Sequence, residues 1–262
     1  MGNFLQPTRL DEALDAVGRG RWVPLAGGTD FYPARVDRPI DENVLDLSRI
    51  DALRGIDARS DVIRIGALTT WTQIFDAPLP PAFDALKLAA REVGGIQIQN
   101  AGTIGGNLCN ASPAADGVPP LLALDARVEL SSARGSRIEP LESFLLGPRK
   151  TALAPDELLT AVLLPAPPAG SRSAFLKLGA RRYLLISIAM VAVVIEIDDR
   201  GAIPVIRRAG IAVGACSPVA MRLRSLEAKL VGAECRRASS LVTAGDLAAL
   251  QPIDDVRASA WY

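Results

Sequence analysis

The chain has 262 residues, 49% of them apolar, with 29 basic and 29 acidic side chains, three cysteines and no histidine. At roughly 150 residues per domain this is one large domain or two to three small ones, and the balanced charge argues against a general nucleic-acid surface. The lack of histidine excludes Ser-His-Asp and Cys-His nucleophile systems, histidine-ligated zinc or copper, and a histidine proton shuttle.

Thr8 is expected to cap a short helix over residues 8–18, with Leu10, Leu14 and Val17 as its apolar stripe. A strand over Trp22 to Leu25 is broken at Gly27-Gly28, and a second runs from Val44 to Leu47. Val62 to Ile65 is the next strand. Thr69 or Thr70 then caps a helix through Trp71 and Phe75, which Pro78, Pro80 and Pro81 end. Ala82 to Val93 carries Leu86, Ala89, Ala90 and Val93 on one face and stops at Gly94-Gly95. A small-residue, glycine-rich loop follows. Leu121 to Leu124, Arg127 to Leu130 and Leu158 to Leu164 read as helix, strand and strand.

The run Pro165, Pro167, Pro168, Ala169, Gly170 marks a linker. Beyond it come longer strands, Ser173 to Leu178, Ser187 to Ile197 and Val205 to Val213, then helices over Arg224 to Val231 and Ser239 to Leu250. This predicts an α+β lobe with an antiparallel sheet.

Cys109, Cys216 and Cys235 are scattered, so neither a disulfide framework nor a cysteine-ligated cluster is expected, and Cys109 reads as a small buried side chain. The first twenty residues lack a secretory pattern, and Leu184 to Ile195 is shorter than the ~20 residues a membrane helix needs. The expectation is a soluble, cytoplasmic chain.

Two segments carry the functional signal: Pro24-Leu25-Ala26-Gly27-Gly28-Thr29-Asp30-Phe31 and Thr103-Ile104-Gly105-Gly106-Asn107. Each pairs two glycines with a hydroxyl side chain. Glycine tolerates positive φ, and successive N–H groups can form a nest for an anion. Neither segment fits GxGxxG or GxxxxGK[ST], so Rossmann and P-loop readings fail on spacing. Composition and spacing support a nucleotide-type anion site and no more.

Taken together the motifs resemble the flavin subunit of the molybdenum hydroxylases, the group of xanthine dehydrogenase and carbon monoxide dehydrogenase. The resemblance lies in LAGGTDF at 25–31, VLDLSRI at 44–50, RIGALTTW at 64–71 and IQNAGTIGGNLCNASPAAD at 98–116. It continues through GPRKTAL at 147–153, ELLTAVLLP at 157–165, AFLKLGARRYLLISIAMVAV at 174–193 and DVRAS at 255–259. It implies an α+β fold: a two-part FAD-binding α/β domain over residues 1–55 and 56–165, then a C-terminal lobe over 166–262 with a three-stranded antiparallel sheet and helices. A last helix usual in the family is expected to be missing after DVRAS.

The resemblance also implies roles. Pro24 to Phe31 and Thr103 to Asn107 would hold the pyrophosphate of a non-covalent FAD, with Ile104 near the ring. Asp116 would lie by the ribose–phosphate part, Lys177 near the flavin, and Tyr183 over one face of the isoalloxazine. Molybdenum cofactor and 2Fe–2S clusters would belong to a large and a small partner subunit, in a dimer of heterotrimers. Electrons would pass through FAD to NAD or another acceptor, with the xanthine dehydrogenase type favoured. The alternatives are a stand-alone FAD-dependent oxidase, which would need a cap domain and an active-site base, and a flavin-free assembly subunit.

Overall fold

The computed structural model describes residues 2–36, 38–58, 61–181, 185–255 and 257–262. The N-terminal part is a three-stranded parallel sheet with Val44–Asp46 between Phe4–Leu5 and Val23–Leu25. The helix Leu10–Arg19 joins two of these strands and buries Ala13 and Val17 against Leu45, Leu47, Ile50 and Leu53. This core is completed by Leu68 and Leu158, which come from the next part of the chain. The expected Thr8 cap is not formed. The helix starts one residue later, with Arg9 at the cap position, and Arg9 is spent on an ion pair with Asp11.

The second part is a five-stranded antiparallel sheet in the order Ile56–Asp57, Val62–Gly66, Leu158–Pro165, Arg127–Ser132, Gly135–Pro140. Its centre is the strand Leu158–Pro165, apolar but for Thr160, where Val162 sits opposite both Ile65 and Val128. Helices Trp71–Asp76, Asp84–Glu92, Ile104–Asn110 and Val118–Ala123 cover one face and bury Trp71, Leu86, Ile104, Leu108 and Leu121. Thr70 starts the first of these with a full capping box to Gln73.

The C-terminal part has the three long strands expected: Arg172–Leu178, Ala189–Asp198 and Val205–Gly214, all antiparallel. A fourth strand of two residues, Met221–Arg222, extends the sheet at the last of them. One face, through Met190, Ala192 and Ala212, joins the core of the second part. The other packs Ile206, Ile211 and Val213 under helix Arg224–Leu230. Gly210 permits this stacking, since a Cβ there would lie 2.3 Å from the Ala123 carbonyl oxygen.

The single helix expected over Ser239 to Leu250 is two short pieces, Ala238–Leu241 and Ala244–Leu247. Thr243 splits them: its backbone N–H and hydroxyl both donate to Asp246, starting a new turn. No helix among the described residues is long and apolar enough to cross a membrane.

Candidate functional site

The two glycine segments, 75 residues apart in the chain at Gly28 and Thr103, form opposite walls of one cleft of about 430 Å3. Pro24, Leu25, Ala26, Gly27, Gly28, Thr29, Asp30 and Phe31 line one wall. Thr103, Gly106 and Asn107 line the other, with Cys109 and Asn110 one helical turn further on. Trp71, Val93 and Ile98 also line it.

The first wall leaves the strand Val23–Leu25 and turns at Gly28, whose φ of 71° is left-handed. Tyr32 and Ala34 then donate to the carbonyls of Gly28 and Asp30, winding the chain into a helical turn. Arg35 fixes the end of this turn: its guanidinium stacks 3.8 Å over the Phe31 ring and donates to the Phe31 carbonyl at 2.9 Å. Among the described residues, no protein acceptor meets the backbone N–H groups of Gly27, Gly28, Thr29 or Asp30. These four donors are available to an anion.

The second wall differs from the sequence expectation. Thr103 to Asn107 is not a loop but the cap and first turn of helix Ile104–Asn110. Its amides are already used: Ile104 donates to the Thr69 carbonyl, Gly105 to the Ala67 carbonyl and Gly106 to Thr103 Oγ1. No nest of free N–H groups exists there. Ile104 and Gly105 lie buried beneath the cleft, where a Cβ on Gly105 would meet Ala67 at 2.8 Å. What this wall presents is side chains. Asn107 Oδ1 is buried without a hydrogen-bond partner, a costly state for an amide oxygen unless a ligand donor meets it. Cys109, expected to be buried, is exposed on the same helix.

Asp116 and Lys177 are brought together, but outside this cleft. Lys177 Nζ donates to Asp116 Oδ2 at 2.8 Å and to the Glu92 carbonyl at 3.2 Å, while Ser187 Oγ donates to Asp116 Oδ1 at 2.6 Å. Burial pushes the Asp116 carboxyl up, and the Lys177 ammonium and Ser187 hydroxyl oppose that rise. Lys177 borders a second groove of about 830 Å3 with Arg91, Glu92 and Leu176. Glu92 lines that groove and the next residue, Val93, lines the first cleft, so the two flank the end of helix Asp84–Glu92. Tyr183 lies outside the described residues.

Sequence reasoning missed Trp71, Cys109 and Asn110 as lining residues. The latter two follow Gly106 and Asn107 at a spacing of three, a signal visible only once the segment is known to be helical.

Four free amides, small side chains and an orphaned amide oxygen on facing walls suit a dinucleotide, so the class is a dinucleotide-binding fold. Residues 1–167 match the family described as FAD binding domain in molybdopterin dehydrogenase, and residues 174–262 the CO dehydrogenase flavoprotein C-terminal domain. The chain is 38% identical over 238 residues to the nicotinate dehydrogenase FAD-subunit of Eubacterium barkeri, covering 88% of this chain and 79% of that protein. It is 31% identical over 265 residues to the nicotine 6-hydroxylase medium subunit of Paenarthrobacter nicotinovorans, covering 99% and 90%. Among solved structures, carbon monoxide dehydrogenase from Hydrogenophaga pseudoflava superposes with a TM-score of 0.89 at 29% identity, over 100% of this chain and 91% of that one. The chain belongs to the FAD-binding subunits of the molybdopterin dehydrogenases.

Proposed function

We propose that this chain is the electron-transfer subunit of a cytoplasmic molybdenum hydroxylase, built as a dimer of heterotrimers. A large partner subunit holds the molybdenum cofactor and hydroxylates the substrate, and a small one relays electrons through 2Fe–2S clusters. The acceptor is NAD or another electron acceptor, and the substrate is a nitrogen heterocycle of the xanthine type. NASPAAD and GPRKTAL support the xanthine reading, as do relatives that carry nitrogen heterocycles in their names.

FAD, when bound, supplies the chemistry of collecting single electrons and releasing a pair. The chain's residues bind and orient it. The free amides of Gly27, Gly28, Thr29 and Asp30 hold the diphosphate, and Asn107 accepts a donor from the cofactor through its orphaned oxygen. Lys177, at the neighbouring groove, serves the flavin end, its partner Asp116 serves the ribose–phosphate part, and Tyr183 covers the ring. With no histidine in the chain a histidyl link is excluded, and the proposed mode of holding is non-covalent.

The observation that carries this reading is the meeting of both glycine segments in one cleft with the Gly27–Asp30 amides unspent. The test is direct. The purified chain is expected to be yellow and to release FAD on acid precipitation. A colourless chain that takes up no added FAD overturns the proposal.

A further inference from the structure

Residues 145–151 form a small hairpin, Leu145–Gly147 paired with Lys150–Thr151, with Pro148 and Arg149 at its tip. Arg149 has a left-handed φ of 55°. Its N–H donates at 2.9 Å to the carbonyl of Ala111, itself left-handed at φ 46° and ending helix Ile104–Asn110. Ala111 is left-handed as the ordinary close of a helix and Arg149 as the second residue of a two-residue hairpin turn, where glycine would be the unstrained choice. Nothing buried at the tip explains why an arginine stands there: Pro148, Arg149 and Lys150 are all exposed.

The side chains give a reason. Arg149 Nη1 donates to Asn110 Oδ1 at 2.7 Å, and Asn110 Nδ2 donates to Asp30 Oδ2 at 2.7 Å. Asp30 ends the loop with the free amides and is the charged residue on the cleft lining. A carboxylate beside an anionic diphosphate is repulsive unless its charge is taken up elsewhere. Asn110 takes one of its oxygens, and the guanidinium polarises that amide from behind.

We propose that Arg149 is a positioning residue of the cofactor cleft. Acting through Asn110, it fixes Asp30 and the Gly27–Asp30 loop and draws the carboxylate's charge away from the bound diphosphate. This rests on the FAD reading above.

The test titrates FAD into the purified chain carrying Arg149→Gly, Arg149→Lys, Asn110→Ala or Arg149→Gly with Asn110→Ala. Glycine relieves the backbone while removing the side chain. Arg149→Gly is therefore expected to melt no lower than wild type without cofactor, yet to bind FAD about tenfold more weakly. Arg149→Lys recovers most of the affinity, and Arg149→Gly adds nothing once Asn110 is alanine. Wild-type affinity in Arg149→Gly, or losses that add in the double variant, overturns the proposal and leaves the FAD reading standing. A wild-type chain that takes up no FAD overturns both.

Discussion

Gly27 packs against Ala101 so closely that a Cβ built on it would stand 1.9 Å from the Ala101 carbonyl oxygen. The two walls of the cleft therefore touch through backbone. Gly27→Ala is expected to push them apart, costing about 1–3 kcal/mol of stability and abolishing FAD uptake. Gly106 is different: a Cβ there approaches Thr103 Oγ1 at 3.0 Å and otherwise points past Ala26 at 3.9 Å. Gly106→Ala should fold as well as wild type, helped by helix propensity, and lose FAD affinity only. Thermal denaturation and FAD titration of the two variants check the contrast.

Asn107 offers a trade of stability against binding. Replacing it with alanine removes a buried oxygen that no protein donor meets. The cofactor-free chain should then gain about 1 kcal/mol while FAD binding weakens, because the unmet group is what the ligand satisfies. Melting temperatures with and without saturating FAD test both halves. A chain less stable in both states would contradict the assignment.

Arg222 clasps the C-terminal sheet to the FAD-binding part. Its side chain is 4% exposed; it donates through Nε and Nη2 to Glu227, and through Nη1 to the Leu122 carbonyl and Asp125. Arg222→Met leaves Glu227 buried without its partner and should cost about 3–5 kcal/mol in urea denaturation. Adding Glu227→Leu should return much of that loss, because the stranded charge, rather than the missing bridge, dominates.

Acid sensitivity follows from Glu157. Arg137 donates to both its oxygens at 2.7 and 2.9 Å, and the Ala154 N–H adds a third bond at 3.0 Å. The Arg137 guanidinium holds this carboxyl below its ordinary value of 4.5. A carboxyl with a lower pKa folded than unfolded contributes stability that is complete above the unfolded value and fades as pH falls below it. Denaturation series between about pH 6 and pH 3 should show wild type losing stability from near pH 4.5 downward. Glu157→Gln should be less stable at neutral pH and show a shallower decline.

The strands Val23–Leu25, Val62–Gly66, Leu158–Pro165, Arg172–Leu178 and Val205–Gly214 and the turn at Gly28 were legible in the sequence because largely apolar runs ended in glycine or proline. The helix at Ile104–Asn110 was not. Gly105-Gly106 argues against helix locally, and the helix stands because Thr69 and Ala67 carbonyls capture its first amides while Ile104 and Leu108 are buried. The strand Gly135–Pro140 escaped notice because it is an almost wholly exposed edge, and no apolar alternation marks it. The pairing of Asp116 with Lys177 spans 61 positions, a distance over which sequence pattern carries no information on contact.

The placement of Leu68 and Leu158 in the N-terminal core bears on how this chain can be divided. Residues 1–55 form a continuous stretch with a sheet of their own, yet their interior is sealed by side chains from beyond Gly66 and from strand Leu158–Pro165. A fragment cut near Gly55 would expose apolar surface and lose one wall's backing. Chimeras that swap the whole stretch 1–165 keep both walls of the cleft and the whole N-terminal core, whereas those joined at Gly55 mix halves of a single interior. The second core crosses residue 165 through Phe175, Met190, Ala192 and Ala212, so a graft there has to match these side chains.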